Sequence, residues 1–146
     1  MNIKVKILNP NAKIPEAKSE YAAGFDLFAA SADKRSFFIS PHETKFVNTG
    51  LAMEIPAGYF GAIFARSGLA AREGLRPANC VGVIDSDYRG EILIALHNDS
   101  NRGKVIVPGD RIAQLVILPC QQVTFAEADE LDETERGAGG FGSTGK

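Results

Sequence analysis

Short apolar runs alternate with turn residues along most of the chain. Residues 3–7 alternate strictly between apolar and lysine positions, which predicts a half-buried strand. Turn signals such as Asn9 with Pro10, and Pro108 with Gly109, separate the runs. Many short strands at intervals of about 8–12 residues are typical of β-sandwiches, jelly rolls and barrels. The other predicted strands are residues 24–29, 35–39, 45–47, 59–64, 81–84, 92–97, 104–107, 111–118 and 123–126.

Only residues 67–72 have the character of a helix, and Ser67 is expected to be its N-cap. The predicted fold class is therefore all-β: a jelly-roll-like β-barrel or sandwich with one short helix. At 146 residues, the chain is long enough for one domain with a real core. We expect residues 1–128 to form this domain and residues 129–146 to form a flexible, glycine-rich C-terminal arm.

Residues 82–92 carry the strongest chemical signal of the chain. Five of them, residues 85–89, include two carboxylates, Asp85 and Asp87, followed by Tyr88 and Arg89, with apolar segments on both sides. This pattern predicts a β-hairpin whose tip offers a candidate base, an aromatic ring and an anion-binding cation. The alternative is a charged turn, although a turn needs only one Asp or Asn and a Gly to reverse the chain.

Three further polar positions interrupt apolar segments. Asp26 is either an exposed strand residue or a carboxylate that binds a divalent cation directly or through water. Arg66 and Ser67 offer either an anion site or a salt bridge with a helix cap. Gln114 lies in a strongly apolar strand, so its amide must bond to the main chain or face a site. His42 and His97 lack metal-ligand spacing, and we interpret both as structural.

The last residues change in character. Residues 127–135 are acidic, and residues 136–146 contain five glycines, one phenylalanine and no strand pattern. Neither a dinucleotide-binding motif nor a Walker loop fits here, because no helix follows the glycines. A glycine run does let main-chain N–H groups approach phosphate oxygens, so a mobile arm can close over an anionic ligand. The alternative is a frayed terminus without function.

Composition and charge restrict the possible partners. The net charge of −2 provides no basic field for nucleic acid. No window approaches the ~20 apolar residues that span a bilayer, and no signal peptide is recognisable at the start. Cys80 and Cys120 lie in apolar runs and are expected to be buried thiols in a reducing compartment. We therefore expect a cytoplasmic protein without a nucleic-acid or membrane partner.

Five segments together resemble the motifs of the trimeric deoxyuridine triphosphatases (dUTPases). They are residues 23–27, 66–70, 82–92, 109–115 and 136–145, in the order and spacing of that family. The third and fifth are long and specific, whereas Ala65 replaces a proline that often precedes the second. The resemblance implies a jelly-roll-like fold and a homotrimer with shared active sites at the subunit interfaces.

The resemblance also implies roles for individual residues. Asp85 matches the carboxylate that activates the attacking water, and Gln114 a group that positions it. Asp26 matches the residue that holds the water shell of a magnesium–triphosphate. Tyr88 matches the ring beneath the deoxyribose. The implied substrate-binding residues are Arg66, Ser67, Gly68, Asn79, Val83, Tyr88, Arg136, Phe141, Gly142, Ser143 and Thr144, with Phe141 stacking on the base.

The implied reaction is hydrolysis of dUTP to dUMP and pyrophosphate, with Mg²⁺ as cofactor. This reaction would limit uracil in DNA and supply dUMP for dTMP synthesis. Three alternatives remain. A dCTP deaminase, or a bifunctional deaminase–dUTPase, shares the fold, but no separate general acid/base carboxylate aimed at the pyrimidine C4 is recognisable. A non-catalytic trimer that binds nucleotides or regulatory partners is a second. A capsid-like structural jelly roll is the third, and it leaves the polar segments unexplained.

Overall fold

The computed structural model describes residues 1–140, in which eleven strands and one short helix follow one another. The all-β class with a single short helix, predicted from the sequence, is confirmed. The elements are β1 (Lys4–Ile7), β2 (Phe25–Phe28), β3 (Phe37–Ile39), β4 (Thr44–Asn48), β5 (Leu51–Glu54), β6 (Tyr59–Phe64), α1 (Ser67–Glu73), β7 (Leu75–Pro77), β8 (Gly82–Ile84), β9 (Leu93–Asn98), β10 (Lys104–Ile106) and β11 (Arg111–Pro119).

The strands form four small sheets, all with antiparallel pairing. The largest has the order β2-β11-β6-β8, and a three-stranded sheet has the order β4-β9-β7. Two pairs, β1 with β5 and β10 with β3, complete the architecture. The nine-residue strand β11 pairs with β2 along one edge and with β6 along the other. Its apolar residues suit this interior position in the sheet.

The core lies between the sheets and is almost entirely aliphatic. It takes side chains from most strands, and the alternation along β9 shows how: Ile94, Leu96 and Asn98 point inward, whereas Leu93, Ala95 and His97 point outward. The largest fully buried apolar side chains are Leu27, Ile39, Val47, Leu51, Ile55, Ile92, Ile94, Leu96 and Ile112.

The predicted hairpin at residues 82–92 is wrong. Strand β8 pairs with β6, whereas β9 pairs with β4 and β7, so the two strands belong to different sheets. The segment 85–92 is instead a loop that crosses from one sheet to the other. Its end is fixed by the Ile92 N–H, which donates to the Leu51 carbonyl at 2.8 Å. A hairpin and a loop that crosses between two sheets both have apolar strands on either side of a turn, so the local sequence does not distinguish them.

Two other predictions, the strand at residues 123–126 and the burial of the two cysteines, are also wrong. Residues 123–126 form no strand, and Phe125 is 97% exposed. Cys80 and Cys120 are exposed and free rather than buried, since Cys80 lies in a tight turn and Cys120 follows the end of β11. Strands β5 and β7 were missed, the latter because it contains Arg76 and Pro77.

Candidate active site

A polar pocket lies where β2, β11 and the junction between β6 and α1 meet. Its volume is about 370 Å³. It brings together residues from three of the five motif segments, which are separated by up to 91 positions in the sequence between Ala23 and Gln114. The lining residues are Lys18, Ala22, Ala23, Gly24, Asp26, Arg66, Ser67, Gly68, Arg111 and Gln114.

Asp26 is the charged centre of this pocket and is only 7% exposed. Arg66 Nε donates to Asp26 Oδ1 at 2.8 Å, and Arg111 Nη1 donates to Asp26 Oδ2 at 3.0 Å. A buried carboxylate is costly unless it is paired, and here each oxygen accepts from a guanidinium. Two guanidinium groups thus contact one carboxylate, and Lys18, which lies 3.6 Å from Glu16, also lines the pocket. The pocket therefore favours an anion richer in charge than Asp26 itself.

Arg111 was not predicted as a site residue. It is placed by an irregularity in the pairing of β11 with β2, where the register shifts between Arg111 and Ala113. Such bulges re-aim a side chain, and this one turns Arg111 toward Asp26. Its main-chain carbonyl also accepts from Arg66 Nη1 at 3.3 Å, so the two arginines support each other. A charged residue at the start of an apolar strand was the available sequence signal.

The predicted N-cap at Ser67 is wrong by one residue. Helix α1 begins at Ser67, so Arg66 occupies the N-cap position, and no side chain caps the helix. The Ser67 hydroxyl is therefore not used as a cap and lies at the pocket together with Gly68. At Gly68, a Cβ would meet no atom within 4 Å, which leaves the main chain open to a ligand.

Gln114 is oriented by a hydrogen bond from its amide nitrogen. Its Nε2 donates to the Ala65 carbonyl at 2.9 Å. Its Oε1 points toward Gly24, where a Cβ would come within 2.5 Å of that oxygen. Gly24 is therefore needed for close approach, and the Gln114 oxygen is presented to the pocket as an acceptor for a water molecule.

A second, smaller cavity of about 170 Å³ holds the residues of the third segment. Asp85, Val83 and Tyr88 line it together with Ile84, Glu91 and Leu93. Tyr88 is folded back along its loop, since its hydroxyl donates to the Glu91 carbonyl at 2.9 Å. A carboxylate and an aromatic ring thus share one small concave surface.

Asn79 lies in the exposed turn between β7 and β8 and is not among the residues that line this second cavity. Its Nδ2 is 3.4 Å from the position that a Cβ on Gly82 would occupy. The Val81 N–H donates to the Asn79 carbonyl at 2.6 Å, which tightens the turn that leads into β8. The structure thus brings Asn79 to the start of the segment that carries Val83 and Asp85.

The two cavities of one chain lie far apart. Asp26 pairs with Gln114 of β11, which in turn pairs with Phe64 of β6. Ile84, the residue before Asp85, pairs with Gly61, three residues earlier on β6. Strands β2 and β8 are three strand spacings apart, or about 14 Å, and the displacement along the strands is about 10 Å. Within one chain, Asp85 therefore cannot act on a group bound beside Asp26.

The fifth segment is only partly described. Arg136 is exposed, and its Nε donates to the Gly139 carbonyl at 2.8 Å, so it makes a local turn rather than a contact with either cavity. Phe141, Gly142, Ser143 and Thr144 lie outside the described residues. Within residues 1–140, there is no group of three or more His, Cys, Asp or Glu side chains that could hold a metal, and no helix that could cross a membrane.

Sequence comparisons identify close relatives over the full chain. A family model described as dUTPase matches residues 10–145. A protein of Nautilia profundicola named deoxyuridine 5'-triphosphate nucleotidohydrolase is 50% identical over 146 residues, covering 100% of both chains. A protein of Desulfitobacterium hafniense with the same name is 52% identical over 149 residues, covering 99% of this chain and 97% of the relative.

Structural comparisons agree. A mutant Staphylococcus bacteriophage 80alpha dUTPase with dUpNHpp matches with a TM-score of 0.89 at 29% identity, covering 99% of each chain. A mutant dUTPase from phage phi11 of S. aureus, solved with a coordinated structural Mg(II) ion, matches with a TM-score of 0.80 at 26% identity, covering 89% of this chain and 98% of that chain. These likenesses confirm the jelly-roll-like fold.

Proposed function

The chain belongs to the dUTPase family of hydrolases that act on dUTP, and from this premise we propose that it cleaves dUTP to dUMP and pyrophosphate by attack of water on the α-phosphorus. The observation that carries the proposal is the pocket around Asp26, in which Arg66, Arg111 and Lys18 outnumber the single carboxylate. The reaction would limit uracil in DNA and supply dUMP for dTMP synthesis.

The triphosphate is proposed to bind in this pocket. Guanidinium groups make charge-assisted, bidentate hydrogen bonds with phosphate oxygens, and Arg66 and Arg111 already converge there. Ser67 and Gly68 add a hydroxyl and an open main chain. Such pre-arranged charges stabilise the negative charge that develops during phosphoryl transfer, which is usually the largest contribution to catalysis.

Asp85 is the proposed general base. It is exposed at the mouth of the smaller cavity and has no cationic partner among the described residues, so its carboxylate is available to accept a proton from water. Gln114 offers an oriented amide oxygen to the same water or to a phosphate-bound one. A well-placed base typically contributes about 10²–10⁴-fold to the rate.

The pocket residues suit Mg²⁺ only in a restricted way. Asp26 is the one carboxylate among the lining residues, and both of its oxygens already accept from arginines. Magnesium keeps several waters and commonly takes substrate phosphates as ligands. Asp26 would therefore hold such an ion through its water shell, while most ligands come from the triphosphate. When bound, Mg²⁺ would supply neutralisation of the phosphate charge.

We propose a homotrimer whose active sites are shared between subunits. The distance between the Asp26 pocket and Asp85 within one chain supports this, since a second copy must supply the missing half. Exposed apolar side chains also support a homotrimer: Phe46 is 66% exposed and Phe125 is 97% exposed. Exposed apolar surface of this kind marks an interface, and closed cyclic symmetry is the common arrangement.

Selectivity for uracil and deoxyribose is assigned to the smaller cavity. Asn79 and the main chain near Val83 would read the hydrogen-bonding edge of the base, because a site built for hydrogen bonds strongly rejects a mispaired analogue. Tyr88 would lie beneath the deoxyribose and leave no room for a 2′-hydroxyl. The cavity is narrow, about 170 Å³, which fits a role in excluding larger groups.

The arm formed by residues 129–146 is proposed to close over the bound nucleotide. Residues 129–136 are exposed and form no strand, so little packing opposes such a movement. Arg136 would contact the terminal phosphates together with Ser143 and Thr144, while Phe141 would stack on the base and Gly142 would allow close approach. Closure of a lid excludes bulk water and completes a site.

We also propose a cytoplasmic location, as two free cysteines are typical of a reducing compartment.

The test is pyrophosphate release with Mg²⁺ from dUTP, dCTP, dTTP and UTP in parallel, with ammonia measured in the dCTP sample. Release from dUTP alone is the expected result. Ammonia from dCTP would instead identify a deaminase. No turnover of dUTP by folded protein, together with binding of dUpNHpp, would identify a nucleotide-binding trimer without activity.

A further inference from the structure

Glu91 fastens the end of the loop formed by residues 85–92 to a different part of the fold. Its Oε1 accepts from the Gly50 N–H at 2.8 Å, and its Oε2 accepts from Asn48 Nδ2 at 3.0 Å. Asn48 ends β4, and Gly50 has a φ of 68° in the turn that leads into β5. Both carboxylate oxygens of a half-buried side chain are therefore used to hold one loop against one turn.

The Tyr88 ring depends on the same residue. Its hydroxyl donates to the Glu91 main-chain carbonyl at 2.9 Å. Between the two lies Gly90, where a Cβ would overlap the Tyr88 hydroxyl and ring. The ring can fold back to Glu91 only because Gly90 has no side chain. Tyr88 and Glu91 both line the cavity that also contains Asp85.

The anchor continues into the core beyond Glu91. The Ile92 N–H donates to the Leu51 carbonyl at 2.8 Å, and the buried Thr49 hydroxyl donates to the Ile92 carbonyl at 2.7 Å. The Glu91 main chain, and with it the acceptor of the Tyr88 hydroxyl, is thus tied to the turn between β4 and β5. By contrast, the hydrogen bonds that Arg89 makes within residues 1–140 are local, to the carbonyls of Ser86 and Tyr88.

We propose that Glu91 is a positioning residue that sets the place of the Tyr88 ring and, through it, the discrimination between deoxyribose and ribose. This inference rests on the proposed role of Tyr88 beneath the sugar. Loss of the Glu91 carboxylate leaves the Gly50 N–H and the Asn48 amide without their acceptor, so the loop end can shift. The ring then moves away from the sugar, and space for a 2′-hydroxyl opens.

The experiment compares kcat/KM for dUTP and UTP in the whole enzyme and in four variants. Glu91→Ala should lower the dUTP-to-UTP ratio by about three- to tenfold, the range of one hydrogen bond. Glu91→Gln keeps one acceptor and should lie between it and the unchanged protein. Tyr88→Phe removes the hydrogen bond from the Tyr88 hydroxyl to the Glu91 carbonyl and should lower the ratio by a similar factor. The double variant, Glu91→Ala with Tyr88→Phe, should show no further loss, because Tyr88→Phe already removes the bond through which the Glu91 anchor acts on the ring.

Glu54→Ala is the matched control. Glu54 is an exposed carboxylate on β5, close in sequence to the same turn, and forms its ion pair with Lys4 at 3.0 Å. It lines a different surface pocket, together with Arg89, and is not among the residues around Asp85 and Tyr88. Its removal should leave the ratio unchanged. Binding of dUpNHpp and of the corresponding ribonucleotide, measured by calorimetry, gives the same comparison without turnover and should follow the same order of variants.

Two results would overturn the inference: one would contradict the role of Glu91 alone, and the other would contradict the proposed function as well. If folded Glu91→Ala and Tyr88→Phe retain the full dUTP preference, or lose activity on both nucleotides equally, Glu91 does not position the ring. If the unchanged enzyme itself shows no preference for dUTP over UTP, the proposed function fails, and the inference fails with it.

Discussion

Asp26 and Arg111 are 85 positions apart in the sequence, yet Arg111 Nη1 lies 3.0 Å from Asp26 Oδ2. The contact connects the edge strand β2 with the start of β11, across the irregular register of that pair. Together with the bond from Arg66, at 2.8 Å, it gives each oxygen of a nearly buried carboxylate a cationic donor.

Arg111→Met should raise KM for dUTP more than it lowers kcat. It removes a charge-assisted contact, worth about tenfold to a hundredfold in binding. Steady-state kinetics with Mg²⁺ measure both constants. Arg102→Met is the control, because Arg102 is exposed and its main chain, not its side chain, bonds to Asn98. An unchanged KM in Arg111→Met would remove this residue from the phosphate pocket.

Asp85→Asn should lower kcat by about 10²–10⁴-fold, since the amide cannot accept a proton from water at neutral pH. KM should change little, because the carboxylate contributes to the chemical step and not to phosphate binding. Single-turnover pyrophosphate release measures this step directly. Asp87→Asn, two positions further along the same loop but outside the cavity, should keep near-normal turnover. Near-normal kcat in folded Asp85→Asn would contradict the assignment of the base.

Two inactive variants should restore each other if the active sites are shared. Arg66→Met damages the phosphate pocket, and Asp85→Asn damages the base, on opposite sides of the proposed interface. After joint refolding of equal amounts, about a quarter of the sites in a random homotrimer combine one intact half from each variant.

The recovered activity is compared with that of each variant refolded alone. About a quarter of the unchanged activity in the mixture, against almost none in the separate samples, supports shared sites. No recovery, in mixtures shown to contain mixed trimers, would mean that both groups act within one chain.

A chain that ends at Glu135 should retain its fold but lose most of its kcat. The removed segment contains Arg136 and the glycine-rich residues after it, and the described part of that segment has no contact with the core. Thermal unfolding should therefore stay the same, while pyrophosphate release falls. A full kcat in the shortened enzyme would exclude closure of the arm as a step in turnover.

Asn98→Ala should destabilise the fold by about 2–4 kcal/mol, because it leaves several main-chain groups without partners. The fully buried Asn98 amide donates to the carbonyls of Ile39, Ser40 and Arg102, at 3.2, 3.1 and 2.8 Å. Urea unfolding at a fixed protein concentration measures the change, since subunit association also stabilises the chain.

Asn101→Ala provides the comparison for that experiment. Asn101 is exposed and bonds through its side chain only to His42, at 2.9 Å. Its removal should cost about 0.5 kcal/mol or less. Equal losses in the two variants would show that the buried network around Asn98 adds nothing beyond a surface contact.

Local patterns in the sequence were sufficient for most elements and for the chemical inventory of the site. Strand β6 was predicted at its observed bounds, and β1 and β11 within one residue, because apolar alternation and turn residues act over a few positions. Asp26, Arg66, Ser67, Gly68 and Gln114 were recognised by residue type and order, and the fold brings them to one pocket.

Only tertiary structure decided which of these elements meet. The predicted hairpin at residues 82–92 failed because β8 and β9 find partners in different sheets, and no local signal distinguishes a hairpin loop from a crossing loop. Arg111 became a site residue through a register shift, and Cys80 was exposed by a turn rather than buried by its apolar neighbours. Sequence patterns report short-range preferences, whereas strand pairing and the placement of charged groups depend on contacts between distant segments.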